Sequence, residues 1–222
     1  MSPLWRREKP TSPAASAYAA AKPPPHDTEW DRAAYAVVDL EMTGLDPAQD
    51  EIISFSAVPI DAGRIATAGV RTITIRPERM PTANTIRVHG LRPADLTDAP
   101  PLAESLDPML EALTGRLVVA HPAWVERGFL QAAFKQAGVR VHEPILDTAR
   151  LASHVLAPKE EPAEMTLARA VRAMGLPIHR PHHAEGDALT TAQLFLALVT
   201  RLDQREWQTV GSLGRLSGAP RH

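Results

Sequence analysis

The chain has no cysteine, so it holds no disulfide framework, no thiolate metal site and no cysteine nucleophile. Long apolar runs are missing too: none approaches the roughly 18 residues that span a bilayer. Met1 to Lys9 is of mixed character and is followed by Pro and Ala, without the charged-then-apolar layout of a signal peptide. These absences lead to the expectation of a soluble, cytoplasmic protein with no membrane partner. There is also no surplus of one charge. A formal net charge of −2 provides no global attraction for a polyanion, so any contact with nucleic acid has to be local or carried by metal ions. There is no internal repeat. What is present is a chain of 222 residues, 44 % hydrophobic, long enough to bury one sizeable core.

Composition divides the chain into three parts. Residues 1–32 are rich in Pro and Ala around Pro23-Pro24-Pro25 and read as a flexible or polyproline-like tail. Trp5-Arg6-Arg7 within it is a candidate docking motif. Residues 33–205 read as the folded domain, and residues 206–222, Gly- and Ser-rich from Val210 on, as a loose tail. Within the domain, strands are expected over 34–41 and 51–60, and the Asp61-Ala62-Gly63-Arg64 turn leads into a third strand ending near Ile75. Leu102, Leu106, Leu110 and Leu113 suggest a helix, and Leu117-Val118-Val119-Ala120 a buried strand. A helix bearing Val125, Phe129, Ala132 and Ala133 on its core face follows, ending at Gly138. After a short strand at Ile145-Leu146, helices are expected over 148–155, 166–174 and 186–203, the last with Leu189, Ala192, Leu196 and Val199 as its core stripe. Three antiparallel strands and then alternating helix and strand imply a mixed α/β sheet with helices on its faces.

Three acidic stations punctuate this pattern. The first is Ala36-Val37-Val38-Asp39-Leu40-Glu41-Met42-Thr43-Gly44-Leu45-Asp46-Pro47. Residues i and i+2 of a strand project from one face, so Asp39 and Glu41 share a space. Carboxylates held that close repel unless a cation lies between them or one is protonated, and hard divalent ions such as Mg²⁺ or Mn²⁺ favour such oxygen sites. Alone, the pair also reads as a strand running out into an acidic turn. The second station, His121-Pro122-Ala123-Trp124-Val125-Glu126, sets Glu126 in the first turns of a helix, where unsatisfied N–H groups favour a carboxylate without any further role. Trp124 reads as core rather than as a base-stacking platform. The third, His182-His183-Ala184-Glu185-Gly186-Asp187, places Asp187 in a helix's first turn and His182 on the loop before it. A neutral imidazole can accept a proton near pH 7; an exposed His pair is the plainer reading.

Taken together, the stations resemble the DnaQ-like (DEDDh) exonucleases, a family that includes the proofreading epsilon subunit of bacterial DNA polymerase III. Asp39 and Glu41 match the first motif, D-x-E-x-T-G-L, and His182 and Asp187 match the third, H-x-x-x-x-D. His89-Gly90-Leu91 resembles the H-G-I between the first two motifs, and Asp147-Thr148 the structural Asp-Thr after the second. The resemblance runs over residues 34–200. It departs at the second motif, usually H-N-A-x-F-D: Pro122 stands for the Asn, and Glu126 stands for the Asp with one more methylene of reach. Leu40 and Met42 also give the first motif the look of oligoribonuclease, which the other motifs do not follow.

The resemblance implies an RNase H-like fold and a metal-dependent 3′→5′ exonuclease using two Mg²⁺ or Mn²⁺ ions. Asp39 would bridge the ions, Glu41 and Asp187 would complete the first site, Glu126 would support the second, and His182 would act as general base. Backbone N–H groups at Met42 and Thr43, with Gly44, Leu45 as a wedge and His89, would hold the terminal nucleotide. The implied partners are nucleic acid with a free 3′ end, single-stranded DNA in the first instance, and a DNA polymerase or repair protein. RNA as substrate, or a degenerate domain that binds without turnover, stay open as alternatives.

Overall fold

The structure, a computed structural model, describes residues 9–157 and 165–218. Its strands are β1 (Tyr35–Met42), β2 (Ile52–Asp61), β3 (Arg64–Ile65), β4 (Arg71–Thr74), β5 (Leu117–Ala120) and β6 (Leu146–Asp147). They form one mixed sheet in the order β3-β2-β1-β5-β6, with β4 also pairing β2. β1 runs antiparallel to β2 and parallel to β5, which is parallel to β6. The helices are α1 (Pro13–Ala20), α2 (Ala83–His89), α3 (Pro93–Leu96), α4 (Leu102–Leu113), α5 (Ala123–Gln136), α6 (Thr148–Leu156), α7 (Leu167–Met174), α8 (Ala184–Asp203) and α9 (Val210–Leu216). Among the described residues no helix is long and apolar enough to cross a membrane.

The period-2 alternation of β1 separates two cores. Ala36, Val38 and Leu40 pack with Met109 and Leu110 of α4 and Phe129 and Leu130 of α5. Tyr35 and Val37 point the other way, among Leu151 of α6, Val171 of α7, Phe195 and Leu198 of α8 and Leu213 of α9. Each such buried side chain is worth about 1.5–3 kcal/mol relative to exposure, so helices are held on both faces, as expected for an RNase H-like sheet. Asp39 and Glu41 continue the Tyr35–Val37 face. These two carboxylates therefore stand where the α8-side core gives out.

Several expectations need correction. The third strand is broken into β3 and β4 by a 3₁₀ turn, Thr67–Gly69. The break falls where the Ala66 N–H donates to the carbonyl of Pro59; proline has no N–H to return, so the ladder lapses. α2 and α3 were not anticipated, being too short to show a helical period. On α5, Ala132 is exposed, and the buried set is Phe129, Leu130, Ala133 and Phe134. On α8, Leu189 and Leu196 are half-buried, while Ala188, Leu194, Phe195 and Leu198 join Ala192 and Val199 inside.

The two tails also differ from expectation where they are described. The Ser12 Oγ caps α1 by accepting the Ala15 N–H at 3.0 Å and itself donates to Asp107. Tyr18 is 1 % exposed, stacked on His142 at 4.3 Å and edge-on to Phe134 at 5.4 Å. One buried aromatic ring anchors a stretch whose Pro/Ala composition reads as loose. At the other end, Thr209 and Ser212 form a capping box for α9, and Val210 and Leu213 are buried. The Trp5-Arg6-Arg7 motif lies outside the described residues.

Candidate active site

The site is assembled from the end of β1, the start of α8 and the first turns of α5. Opposite Asp39 in the antiparallel register stands Ser56, and opposite Glu41 stands Ser54. Directly opposed residues share a face of the sheet, so each carboxylate has only a small hydroxyl side chain as neighbour, which leaves space beside it. A register shift between Glu41 and Met42 ends the pairing. The loop beyond it closes on itself: the Thr43 Oγ1 donates to Asp50 Oδ1 at 3.2 Å and accepts the Glu51 N–H at 3.0 Å, while the Asp46 N–H donates to Asp50 Oδ2 at 3.0 Å. Gly44 lies close under this carboxylate: a Cβ would come 2.3 Å from Asp50 Oδ2, so a larger residue would displace the Asp50 side chain that closes the loop. Leu45 is left 69 % exposed at the tip.

On the facing side, α8 starts at Ala184 after His183 as N-cap residue. Gly186 lets the preceding loop cross the helix start, since a Cβ there would lie 2.4 Å from the His179 carbonyl oxygen. The loop then turns back through His182, at φ 60°, whose N–H donates to Asp187 Oδ2 at 2.8 Å. Asp39, Glu41 and Asp187 each bring one carboxylate oxygen within 4.8 Å of the others, all three side chains half-buried.

Such proximity has an electrostatic cost. Like charges about 4 Å apart repel by about 4 kcal/mol at an effective dielectric of about 20. Burial, followed by the charges of Glu126, Glu41 and Asp187, raises Asp39 well above the usual carboxylate range. Burial and then Asp187 push Glu41 up to about 7. Asp187 is raised by burial, against the opposing pull of the His182 N–H and the nearby rings of His182 and His183. The charges of both rings thus act on Asp187, that of His182 the more strongly. An all-oxygen set that resists losing its protons, yet points into one space, fits a hard divalent cation.

Glu126 occupies a different environment. It is 4 % exposed, and its Oε2 is buried without a hydrogen-bond partner. Burial raises its pKa to about 8, its own backbone N–H works against that rise, and Asp147 and Glu41 add to it. It faces Asp39 and Glu41 but lies outside the close triad. Asp147, whose structural role the motif comparison anticipated, sets this corner: its Oδ1 accepts from the N–H groups of Ala149 (2.8 Å) and Arg150 (3.3 Å), and its Oδ2 from that of Ala123 (3.3 Å). It thereby ties the starts of α5 and α6 together. His121 is locked nearby, hydrogen-bonded to Thr148 Oγ1 at 2.8 Å and to the Met165 carbonyl at 2.7 Å.

Three of the remaining candidates are placed differently from expectation. The Thr43 N–H donates to the Glu51 carbonyl at 2.9 Å, so it is spent on the loop and cannot also hold a nucleotide. Trp124 is 54 % exposed rather than core, although Ala123 before it is buried. His89 is 4 % exposed, and its Nδ1 accepts the Leu91 N–H at 3.0 Å, closing the turn after α2. Asp50, which holds the loop after β1 closed, was missed; its spacing of four from Asp46 in a turn was the available signal.

The profile of the exonuclease family matches residues 36–195. The chain is 31 % identical over 188 residues to the DNA polymerase III subunit epsilon-like protein of Rhodobacter capsulatus, covering 84 % of this chain and 27 % of that one. It is 33 % identical over 175 residues to the PolC-type DNA polymerase III of Thermotoga petrophila, covering 78 % of this chain and 12 % of that one. Exonuclease X, solved with 5′-overhanging duplex DNA, superposes with a TM-score of 0.61 at 18 % identity, over 83 % of this chain and 99 % of that one. The fold is of the RNase H-like type with a carboxylate cluster at the end of its first strand, and the sequence match over residues 36–195 makes the family assignment specific. The chain belongs to the exonuclease family. It spans 27 % and 12 % of the two relatives' lengths.

Proposed function

We propose that this protein hydrolyses phosphodiester bonds at the 3′ end of a nucleic-acid strand, single-stranded DNA in the first instance, releasing nucleoside monophosphates. The observation that carries this is the convergence of Asp39, Glu41 and Asp187 within 4.8 Å beside an exposed loop bearing His182. Asp39, Glu41 and Asp187 would hold a first Mg²⁺ or Mn²⁺, and Asp39 a second that Glu126 would support from outside its closest ligands. Bound there, such ions neutralise the phosphate and activate water for in-line displacement. The rest falls to the chain's own side chains. A ring nitrogen of His182 takes the proton of the attacking water, while Asp187 holds that segment through the His182 N–H. Leu45 packs against the terminal base. A polymerase partner is supported by the relatives' names, not by a surface of this chain.

A strand labelled at its 5′ end should shorten from the 3′ end as a ladder in Mg²⁺ or Mn²⁺ and remain whole in EDTA. Cleavage in chelator, or of a circular strand, would exclude this reading. RNA and duplex arms of the same digest set the substrate. One observation favours a second reading, binding without turnover: the buried Glu126 Oε2 has no partner and stands apart from the triad. Mn²⁺ titration showing normal binding, together with no digestion of any strand, would select it.

A further inference from the structure

The first turn of α5 borders a second concavity, beside the carboxylates. Ala123 and Arg127 from α5, Asp147 and Arg150 from the start of α6, and Ser217 and Gly218 after α9 line a cavity of about 150 Å³. It adjoins the proposed active site through Glu126, which neighbours Arg127 in sequence and feels the charge of Asp147.

The polar groups on its wall are unevenly satisfied. Asp147 is its acid, and both of its oxygens are already taken by backbone N–H groups of Ala149, Arg150 and Ala123. Arg127 pairs through Nη2 with Glu143 Oε2 at 3.0 Å, yet its Nε is buried and unpartnered. Ser217 is 6 % exposed and its Oγ has no hydrogen-bond partner. Arg150 makes no side-chain hydrogen bond or ion pair with any described residue, and its guanidinium lies over Gly218, where a Cβ would come 2.5 Å from Nη1. What is left over is therefore a set of donors, two of them on guanidinium groups, around an enclosed space. That set matches an oxyanion with several acceptor oxygens.

We infer that this cavity takes a phosphate group, supplied by the backbone of the bound strand 5′ of the bond to be cut. The source of the phosphate rests on the proposed function; the anion chemistry of the cavity does not. Strand passage over the first turn of α5 would then carry the scissile end into the carboxylates on one side and fix an upstream linkage at Arg150 and Ser217 on the other.

The test measures binding of a short fluorescent single strand to the full chain with Ca²⁺ replacing the catalytic ions, across a salt series. Arg150→Gln, a change at an exposed side chain, should weaken binding roughly tenfold and lower the salt slope by about one; Ser217→Ala should weaken it less. Strands carrying one neutral methylphosphonate linkage, moved stepwise from the 3′ end, locate the contact. In the unaltered protein one linkage should matter most, and in Arg150→Gln that linkage should cease to matter. Equal responses of both proteins at every position would overturn the inference. Binding of inorganic phosphate lost in Arg150→Gln, with no linkage responding, would overturn the strand as its source. The digest described above fails or succeeds separately: a linkage effect without hydrolysis removes the proposed activity and keeps the cavity.

Discussion

Two corners of the same site obey different rules. At the β1–α8 corner, Asp39, Glu41 and Asp187 converge within 4.8 Å, half-buried and open to the loop bearing His182. At the α5 corner, Glu126 is 4 % exposed, with an unpartnered Oε2 and its own carboxyl raised to about 8. The chain follows the family's motifs at the first corner and departs from them at the second, where Pro122 and Glu126 replace Asn and Asp. Conforming residues present their oxygens together, whereas the longer carboxylate is buried apart from them. A ligand set can thus be complete in charge and still unequal in readiness.

The largest effect should come from breaking the first corner. Asp39→Asn removes the carboxylate nearest to all the others. Ions held there as proposed would contribute several kcal/mol of charge stabilisation, so single-turnover hydrolysis should fall about 10³-fold or more, with Mn²⁺ affinity falling in parallel by calorimetry. Wild-type rates in this variant would place the chemistry elsewhere.

Next in size is the base. His182→Ala should cut the rate roughly 10²–10³-fold while Mn²⁺ binding changes little, and His183→Ala should be mild. A costlier His183 would mean that the N-cap residue of α8, not the residue at φ 60°, carries the proton.

The second corner is probed by Glu126→Gln, which keeps the shape and removes the charge. Turnover should drop about 10–100-fold, the range for groups that support a metal site from outside its closest ligands, with the thermal midpoint held or raised. A loss as large as that of Asp39→Asn would make the corners equivalent. An unchanged rate would leave a centre of three carboxylates.

The smallest effect concerns stability. Glu41 and Glu126 are raised from 4.5 to about 7 and about 8. Between about pH 4.5 and pH 8 the folded chain therefore keeps protons that the unfolded chain has released, and unfolding free energy falls as pH rises through that window. Chelated protein should therefore melt at a lower temperature at pH 9 than at pH 5. Mg²⁺ or Mn²⁺ should restore most of that loss at the alkaline end. A flat profile in EDTA, followed by scanning calorimetry, would show that the cluster relaxes apart without ions.

Much of this was legible before any coordinates. The i, i+2 pair on β1, the helix-start position of Asp187 and the preceding His182 are local facts: strand period and helix caps act over a few residues, and the sequence states them directly. The alternation that sorts Val37 from Val38 likewise follows from the period of 2 alone. The identity of the long strands and helices rests on the same short-range physics. Short-range rules say nothing, however, about how a carboxylate on one element meets another 150 residues away.

Packing decided the rest. Tyr18 converts a Pro/Ala-rich segment into a docked helix because one aromatic ring found Phe134 and His142, contacts that composition cannot foretell. Pro59 splits the third strand only because Ala66 lies opposite it. Trp124 and Ala132 are exposed because α5 turns Ala123, Phe129, Leu130, Ala133 and Phe134 to the core, and Glu126 is buried along with them. The sequence by itself determined which residues could carry the chemistry; only the tertiary structure decided which of them share a space, since burial and Coulomb interaction depend on distances that the chain order does not contain.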